Sequence, residues 1–255
     1  MRIALHQTRA AGLDALDRAA REAAARGARL LLTPELSLTG YALADPAGSA
    51  QQNDGPAAQA VSRIALRHGV AVGYGYPERG EDGAVHNTAR LVGPDGEALA
   101  NYRKTHLYGS YEAEHYTPGS HLVVQARLAG LTFGLLICYD VEFPEAVRAH
   151  ALAGTDVLLV PTALMCPYDA VATTLVPARA VESQLYVAYA NRVGREGEFD
   201  FAGRSCLAAP DGTVPARADG VSQALLVADA DPAFLRASRE RNPYLADRRP
   251  ELYPA

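Results

Sequence analysis

The feature that most constrains the fold is the alternation of short uninterrupted apolar runs with longer stretches whose apolar residues recur at helical spacing. Residues 30–33 and 157–160 are runs of the first kind, and residues 13–25 and 56–68 are stretches of the second. An uninterrupted apolar run is typical of a strand buried on both faces, as in a sheet that helices cover. The alternation therefore predicts an α/β protein.

Glycine and proline divide the chain into further elements. Gly27 and Gly69 follow the first two predicted helices, and Pro144 opens a third. The pattern predicts strands at 2–7, 30–33, 70–76, 85–92, 97–103, 131–137, 157–160, 186–190 and 223–228, and helices at 13–25, 56–68, 144–153 and 172–183. No linker or internal repeat interrupts this series, so one domain over residues 1–255 is predicted. Residues 236–255 are rich in charge and are expected to form a surface arm at a subunit contact.

Composition excludes several classes of partner. The formal net charge of −5 gives no basis for a nucleic-acid partner. No apolar run approaches the roughly 18 residues that span a bilayer, and the start lacks the pattern of a secretory signal, so no membrane partner is expected. Three cysteines without paired spacing fit a reducing compartment. A cytoplasmic location is therefore predicted.

Cys138 is the strongest candidate for a reactive side chain. It ends the apolar run 131–137 and precedes the helix that Pro144 opens. Sheets of α/β proteins carry their reactive groups at the carboxyl ends of strands, and nearby helix amides would lower the pKa of the thiol. The competing interpretation is a buried structural cysteine, which is how we interpret Cys166 and Cys206.

Two charged residues share this position at the end of a predicted strand. Glu35 follows the run 30–33, and Lys104 follows the strand 97–103. Taken singly, each is better explained as a solvated surface charge. Together with Cys138 they supply a base, a cation that could stabilise an oxyanion, and a nucleophile.

Three blocks of sequence around these residues resemble the signature blocks of the nitrilase, or carbon–nitrogen hydrolase, superfamily. The blocks are Pro34-Glu35 with Gly40-Tyr41, residues 102–107, and Cys138-Tyr139-Asp140 with Phe143-Pro144-Glu145. The resemblance extends over nearly the whole chain through Asn87-Thr88, Thr117-Pro118-Gly119, Val160-Pro161-Thr162 and Ala190-Asn191-Arg192.

The resemblance implies a four-layer αββα sandwich that pairs into homodimers, and an enzyme that cleaves amides or nitriles through a thioester without a cofactor or metal. It implies that Cys138 is the nucleophile and Glu35 the general base. Lys104 would stabilise the tetrahedral intermediate together with the backbone N–H of Tyr139. Many members carry a second glutamate before the Thr-Pro-Gly block, for which the spacing favours Glu112 over Glu114.

Several stretches are similar to amidases of short aliphatic or ω-amino amides, so a small-molecule amide is the expected substrate. These stretches are residues 74–79, 161–169 and 243–245. Tyr41, Glu142 and Met165 are expected to shape the substrate pocket, and Glu142 or Asp169 could receive a cationic tail. An N-carbamoyl hydrolase, a nitrilase and a non-catalytic binding module remain alternatives.

Other kinds of site have weaker support. The sequence has no Cys-x-x-Cys pair and no His-Glu-x-x-His, so a metal site is not expected. Gly73, Gly75 and Gly80 lack the spacing of a dinucleotide loop, and no Gly-x-Ser-x-Gly elbow of a serine hydrolase occurs. A Cys-His thiol protease stays open on residue types, although no particular histidine is indicated.

Overall fold

The computed structural model describes residues 1–253. It contains seven α-helices, which are α1 (Leu13–Ala25), α2 (Pro46–Ser49), α3 (Pro56–His68), α4 (Gly109–His115), α5 (Pro144–Leu152), α6 (Val176–Ser183) and α7 (Pro232–Arg241). The strands of the first half are β1 (Arg2–Gln7), β2 (Leu30–Leu32), β3 (Ala71–Arg79), β4 (Val85–Val92), β5 (Ala98–Arg103), β6 (Gln125–Leu128) and β7 (Leu131–Leu135). Those of the second half are β8 (Val157–Thr162), β9 (Tyr186–Asn191), β10 (Val193–Glu196), β11 (Phe199–Ala202), β12 (Cys206–Ala208), β13 (Ala216–Arg217) and β14 (Ala224–Asp229).

Twelve of these strands form two mixed sheets of six. The order in the first sheet is β14-β1-β2-β3-β4-β5, and in the second it is β13-β12-β9-β8-β7-β6. The central pairs β1-β2, β2-β3, β7-β8 and β8-β9 are parallel, and antiparallel strands extend both sheets. Strands β10 and β11 form a separate hairpin. The parallel centres are the strands that the sequence marks as uninterrupted apolar runs, because both of their faces are covered.

The two faces of the first sheet pack against different layers. Ile3 of β1 belongs to the buried cluster that contains Phe133 and Leu159 of the second sheet. Ala4, whose side chain points to the opposite face, belongs to a second cluster with Leu16 of α1. Helices α5 and α6 add their apolar residues on the side of the second sheet. The layers are therefore helix, sheet, sheet and helix, as expected for the αββα sandwich.

Most of the sequence-based elements agree with the structure. Helices α1 and α3 and strands β1 and β4 have the predicted bounds, and the other predicted strands shift by one to three residues at an end. Short strands and helices without clear periodicity were missed, among them α2, α4, β6 and β10 to β13. The predicted helix at 172–183 is instead a π-helical turn, Val171–Leu175, followed by α6.

The C-terminal arm begins differently from the expectation. Residues 236–241 are the end of α7, which docks on the body of the protein through Arg239. The Arg239 guanidinium donates to Asp156 Oδ1 at 2.9 Å and to the Gln184 and Thr155 carbonyls at 3.0 Å. Residues 254–255 of the predicted arm lie outside the described residues. The subunit contact itself stays a prediction.

Within residues 1–253, no helix has both the length and the apolar content that crossing a bilayer would require.

The contact between the two sheets predicts a large cost for removing an inner side chain. Phe133 is 0% exposed, and Phe133→Ala is expected to lower the free energy of unfolding by about 3–5 kcal/mol, because a cavity forms between the sheets. Leu66 of α3 is 62% exposed, so Leu66→Ala should change the free energy by less than about 0.5 kcal/mol. Urea unfolding measures both variants, and equal effects would contradict the layer assignment.

Candidate active site

The candidate catalytic residues follow strand ends at one edge of the two stacked sheets. Glu35 lies three residues after β2 and Lys104 directly after β5, both in the first sheet. Cys138 lies three residues after β7 of the second sheet, and Glu112 belongs to α4. The Glu35 amide donates to the Thr162 carbonyl at the end of β8, which joins the two sheets at this edge.

At the centre of the site, one ammonium lies between two carboxylates. Lys104 Nζ is 2.7 Å from Glu35 Oε1 and 2.6 Å from Glu112 Oε1, and all three side chains are fully buried. Burial alone would lower the pKa of Lys104, but the charges of Glu112 and Glu35 outweigh it and hold this pKa well above its usual value. The ammonium therefore stays charged.

Glu35 has the environment of a general base. Burial raises its pKa to about 7, with the charge of Glu112 adding to the effect and that of Lys104 opposing it. Glu35 Oε1 accepts from Lys104 Nζ and, at 2.7 Å, from Asn87 Nδ2. Glu35 Oε2 is buried and has no hydrogen-bond partner in the described part of the chain. One oxygen is thus fixed by two donors, while the other can take up a proton.

A buried arginine fixes the backbone on which Glu35 stands. Arg192 follows β9 and donates from Nε to the Glu35 carbonyl at 3.1 Å and from Nη2 to the Leu36 carbonyl at 2.9 Å. Leu36 adopts a positive φ of 50°. On the other side, a Cβ at Gly75 of β3 would collide with the Leu36 amide nitrogen, so only glycine permits this approach.

Cys138 stands on a sharp turn held by one aspartate. It has a φ of 45°, in the left-handed region, and begins the 3₁₀ turn Cys138–Glu142. The buried Asp140 accepts from the Ile137 amide at 3.0 Å and the Tyr102 hydroxyl at 2.9 Å, and from the Thr105 hydroxyl and the His106 amide, each at 2.9 Å. This carboxylate therefore ties the turn that carries Cys138 to the segment that carries Lys104.

The prediction of a lowered thiol pKa is wrong. Burial raises the pKa of Cys138 well above its usual value, and the charge of Glu35 adds to the effect, while Lys104 offsets only part of it. The 3₁₀ turn separates Cys138 from the first amides of α5, so the helix supplies little of the expected stabilisation. The raised pKa favours the thiol form, and a thiol in this position would need a neighbouring base to take its proton before the sulfur could act as a nucleophile.

A cavity of about 100 Å³ opens beside the sulfur. Three of the four residues predicted to contact substrate or intermediate, Tyr139, Glu142 and Met165, line it. Cys138 itself also lines the cavity. The remaining lining residues, which sequence reasoning did not select, are Tyr108, Ala163, Leu164 and Tyr168.

The fourth predicted pocket residue lies behind the cluster. Tyr41 is buried, is not among the residues that line the cavity, and donates from its hydroxyl to Glu112 Oε1 at 2.9 Å. The structure also distinguishes the two candidate glutamates. Glu112 is buried against Lys104, whereas Glu114 is exposed on the same helix.

The two cysteines that were predicted to be buried packing residues differ in exposure. Cys206 is buried, as predicted for a packing residue, but Cys166 is exposed, because the loop after β8 carries it to the surface.

Asp169, the second candidate for binding a cationic tail, is paired with Arg204. No group of three or more His, Cys, Asp or Glu side chains that could hold a metal ion occurs within residues 1–253.

Known proteins match this chain over nearly its whole length. The family model of carbon–nitrogen hydrolases matches residues 3–240. The chain belongs to the carbon–nitrogen hydrolase family. The "Hydrolase in pqqF 5'region" of Pseudomonas protegens is 45% identical over 261 residues, covering 99% of this chain and 90% of that protein. An (R)-stereoselective amidase of a Pseudomonas species is 38% identical and covers 86% of this chain and 79% of that protein.

Solved structures of this family confirm the predicted fold class. The NitN amidase of Nesterenkonia sp. AN1 superposes with a TM-score of 0.87 at 41% identity, over 99% of this chain and 98% of that one. A double mutant of the Nesterenkonia amidase is in complex with acrylamide. In another mutant the acetamide moiety of fluoroacetamide is covalently attached at the active-site cysteine.

The hydrogen bonds of Asp140 predict a stability defect on its removal. Asp140→Ala leaves buried donors from two segments without an acceptor and is expected to cost about 3 kcal/mol or more of unfolding free energy. Asp54→Ala, at an exposed position, is the matched control and should change stability by less than about 0.5 kcal/mol. Chemical denaturation measures both, and a neutral Asp140→Ala would show that the turn is held by other contacts.

Proposed function

We propose that this carbon–nitrogen hydrolase converts a small amide, aliphatic or ω-amino, to a carboxylic acid and ammonia through a thioester on Cys138. The observation that carries the proposal is the buried cluster of Glu35, Lys104 and Glu112 next to a thiol that opens into a cavity. The amide complexes of the Nesterenkonia amidase support the same class of substrate.

In the first step, the Cys138 thiol gives its proton to Glu35 Oε2 while the sulfur attacks the amide carbon. This order follows from the raised pKa of the thiol and from the unpartnered carboxylate oxygen. The oxygen of the amide becomes an oxyanion, which the Lys104 ammonium and the Tyr139 N–H stabilise. A cation that is already desolvated and oriented needs no reorganisation at this point.

In the second step, the tetrahedral intermediate collapses. Glu35 returns the proton to the nitrogen, the carbon–nitrogen bond breaks, and ammonia leaves a thioester on Cys138. Water then enters, Glu35 takes a proton from it, and the hydroxide oxygen attacks the thioester carbon. The second intermediate releases the carboxylic acid and the Cys138 thiolate, and the proton on Glu35 passes to the sulfur, which restores the thiol.

Glu112 takes a positioning role in this scheme. Its Oε1 accepts from Lys104 Nζ and from the Tyr41 hydroxyl, and its Oε2 accepts from the Tyr108 amide at 2.7 Å. These contacts hold the Lys104 ammonium in place.

N-carbamoyl amines and nitriles present an electrophilic carbon to the same nucleophile, so a substrate panel with ammonia readout should include them. Inertness of the wild type towards the whole panel would favour a binding module.

Assembly and location complete the proposal. We assign the enzyme to the cytoplasm as a homodimer or a higher homo-oligomer that binds neither nucleic acid nor membrane. Free Cys138, Cys166 and Cys206, one of them exposed, fit a reducing compartment.

The pH dependence of turnover follows from the pKa of Glu35. The base must be ionised to accept the thiol proton, so kcat/KM should rise about tenfold per pH unit below pH 7 and level off above it. Initial rates of ammonia release between pH 5 and 9 test this. Glu114→Gln, which changes an exposed acid on the same helix as Glu112, should keep the same profile. A flat profile from pH 5 to 8 would assign the base to another group.

The thioester predicts where an acyl group is found during turnover. After acid quenching with a small amide as substrate, peptide mass spectrometry should find the acyl group on the peptide with Cys138. The exposed Cys166 is an internal control, because reagents without specificity would modify it first. Cys166→Ala should keep the adduct and ammonia release, and Cys138→Ala should lose both. An acyl group on Cys166 or Cys206 would contradict the mechanism.

A further inference from the structure

Glu142 places a carboxylate in the wall of the cavity beside Cys138. Glu142 is half-buried and lines the cavity, but its carboxylate has no hydrogen-bond or ion-pair partner within residues 1–253. The nearby Arg179 is already occupied. It binds the Glu142 backbone carbonyl at 2.7 Å, the Val141 carbonyl at 3.1 Å and the Glu182 carboxylate at 2.8 Å. Lys104 is likewise held by Glu35 and Glu112.

Three aromatic rings line the same cavity as this carboxylate. The ring of Tyr108 lies edge-to-face with that of Tyr139, at 5.3 Å between centroids, and with that of Tyr168, at 6.4 Å. All three tyrosines line the cavity. Ring faces attract cations, and a carboxylate beside several rings is a recurring way to bind an ammonium group. Among the residues that the structure describes, no lysine or arginine lines the cavity, so an anionic group would find no cationic partner there.

The volume limits what can bind. A short carbon chain between the amide and a terminal charge suits a cavity of about 100 Å³. Leu164 and Met165 supply apolar contacts for such a chain.

We propose that the substrate carries an amine cation at the end opposite to its amide, and that the Glu142 carboxylate and the tyrosine rings bind this cation. The inference rests on the proposed amide hydrolysis and adds the substrate class. Glu142 acts as the specificity residue, because a neutral tail gains nothing from its charge and a carboxylate tail is repelled by it.

Three amides of similar length test the proposal. They are 4-aminobutanamide with a cationic tail, pentanamide with a neutral tail of the same size, and succinamate with an anionic tail. The wild type should show a kcat/KM for 4-aminobutanamide at least about tenfold above that for pentanamide, and succinamate should be the poorest substrate. A ratio of cationic to neutral amide at or below one would overturn the inference.

Two variants test whether Glu142 causes the preference for the cationic amide. Glu142→Gln should bring the ratio of cationic to neutral amide close to one. Glu145→Gln, which changes an exposed acid three residues further along the chain, should keep the wild-type ratio. If Glu142→Gln leaves the ratio of kcat/KM for the cationic and the neutral amide unchanged, the inference is overturned even if the wild type prefers the cation. Another residue would then bind the cationic tail.

A binding measurement separates this inference from the proposed function. Calorimetric titration of the wild type with n-butylammonium should give a Kd at least about tenfold below that for butan-1-ol, and Glu142→Gln should remove the difference. Equal binding of the two compounds would overturn the inference whatever the rates are. Hydrolysis of pentanamide without cation preference would also overturn it and leave the amidase proposal standing. Failure of all three amides to release ammonia or to form an adduct at Cys138 would instead count against the amidase proposal.

Discussion

A buried ammonium between two buried carboxylates is the interaction on which the site depends. Burying charges is expensive unless each one is paired and hydrogen-bonded. Lys104 meets that condition through Glu35 and Glu112, and burial, together with the charge of Glu112, raises the pKa of Glu35 against the opposing charge of Lys104. The same feature costs stability. Because this carboxyl titrates at about 7 in the folded protein rather than 4.5, its contribution to stability is full in acid and falls as the pH rises through that interval.

The two-sheet architecture explains how such a cluster can form from distant segments. Each sheet supplies part of the site, and two buried side chains connect the parts. Asp140 joins the turn of Cys138 to the segment after β5, and Arg192 joins the end of β9 to the backbone at Glu35. Asp140 accepts on both carboxylate oxygens and Arg192 donates from Nε and both Nη atoms, which fixes Cys138 and Glu35 to rigid elements rather than to mobile loops.

Sequence patterns predicted the sheets and the three residues at their ends, because strand burial and strand termination are local properties. The convergence of Glu35 and Lys104 follows from the position of each after a strand of the same sheet. Other features depend on contacts that form only in the folded protein. The direction of the Cys138 pKa shift was mispredicted, because burial beside a carboxylate outweighs a helix that starts six residues later. The exposure of Cys166 depends on the path of a loop without periodicity.

Lys104 is also the only lysine in the 255-residue sequence. Its ammonium has no contact with solvent, so the described surface offers no lysine amine to acylating reagents. Isotopic labelling of lysine nitrogen would accordingly yield one side-chain resonance, which reports directly on the buried cluster of Lys104, Glu35 and Glu112 without assignment. Conversely, a lysine substituted for a surface arginine would become a unique attachment point for dyes or solid supports, leaving the buried amine untouched.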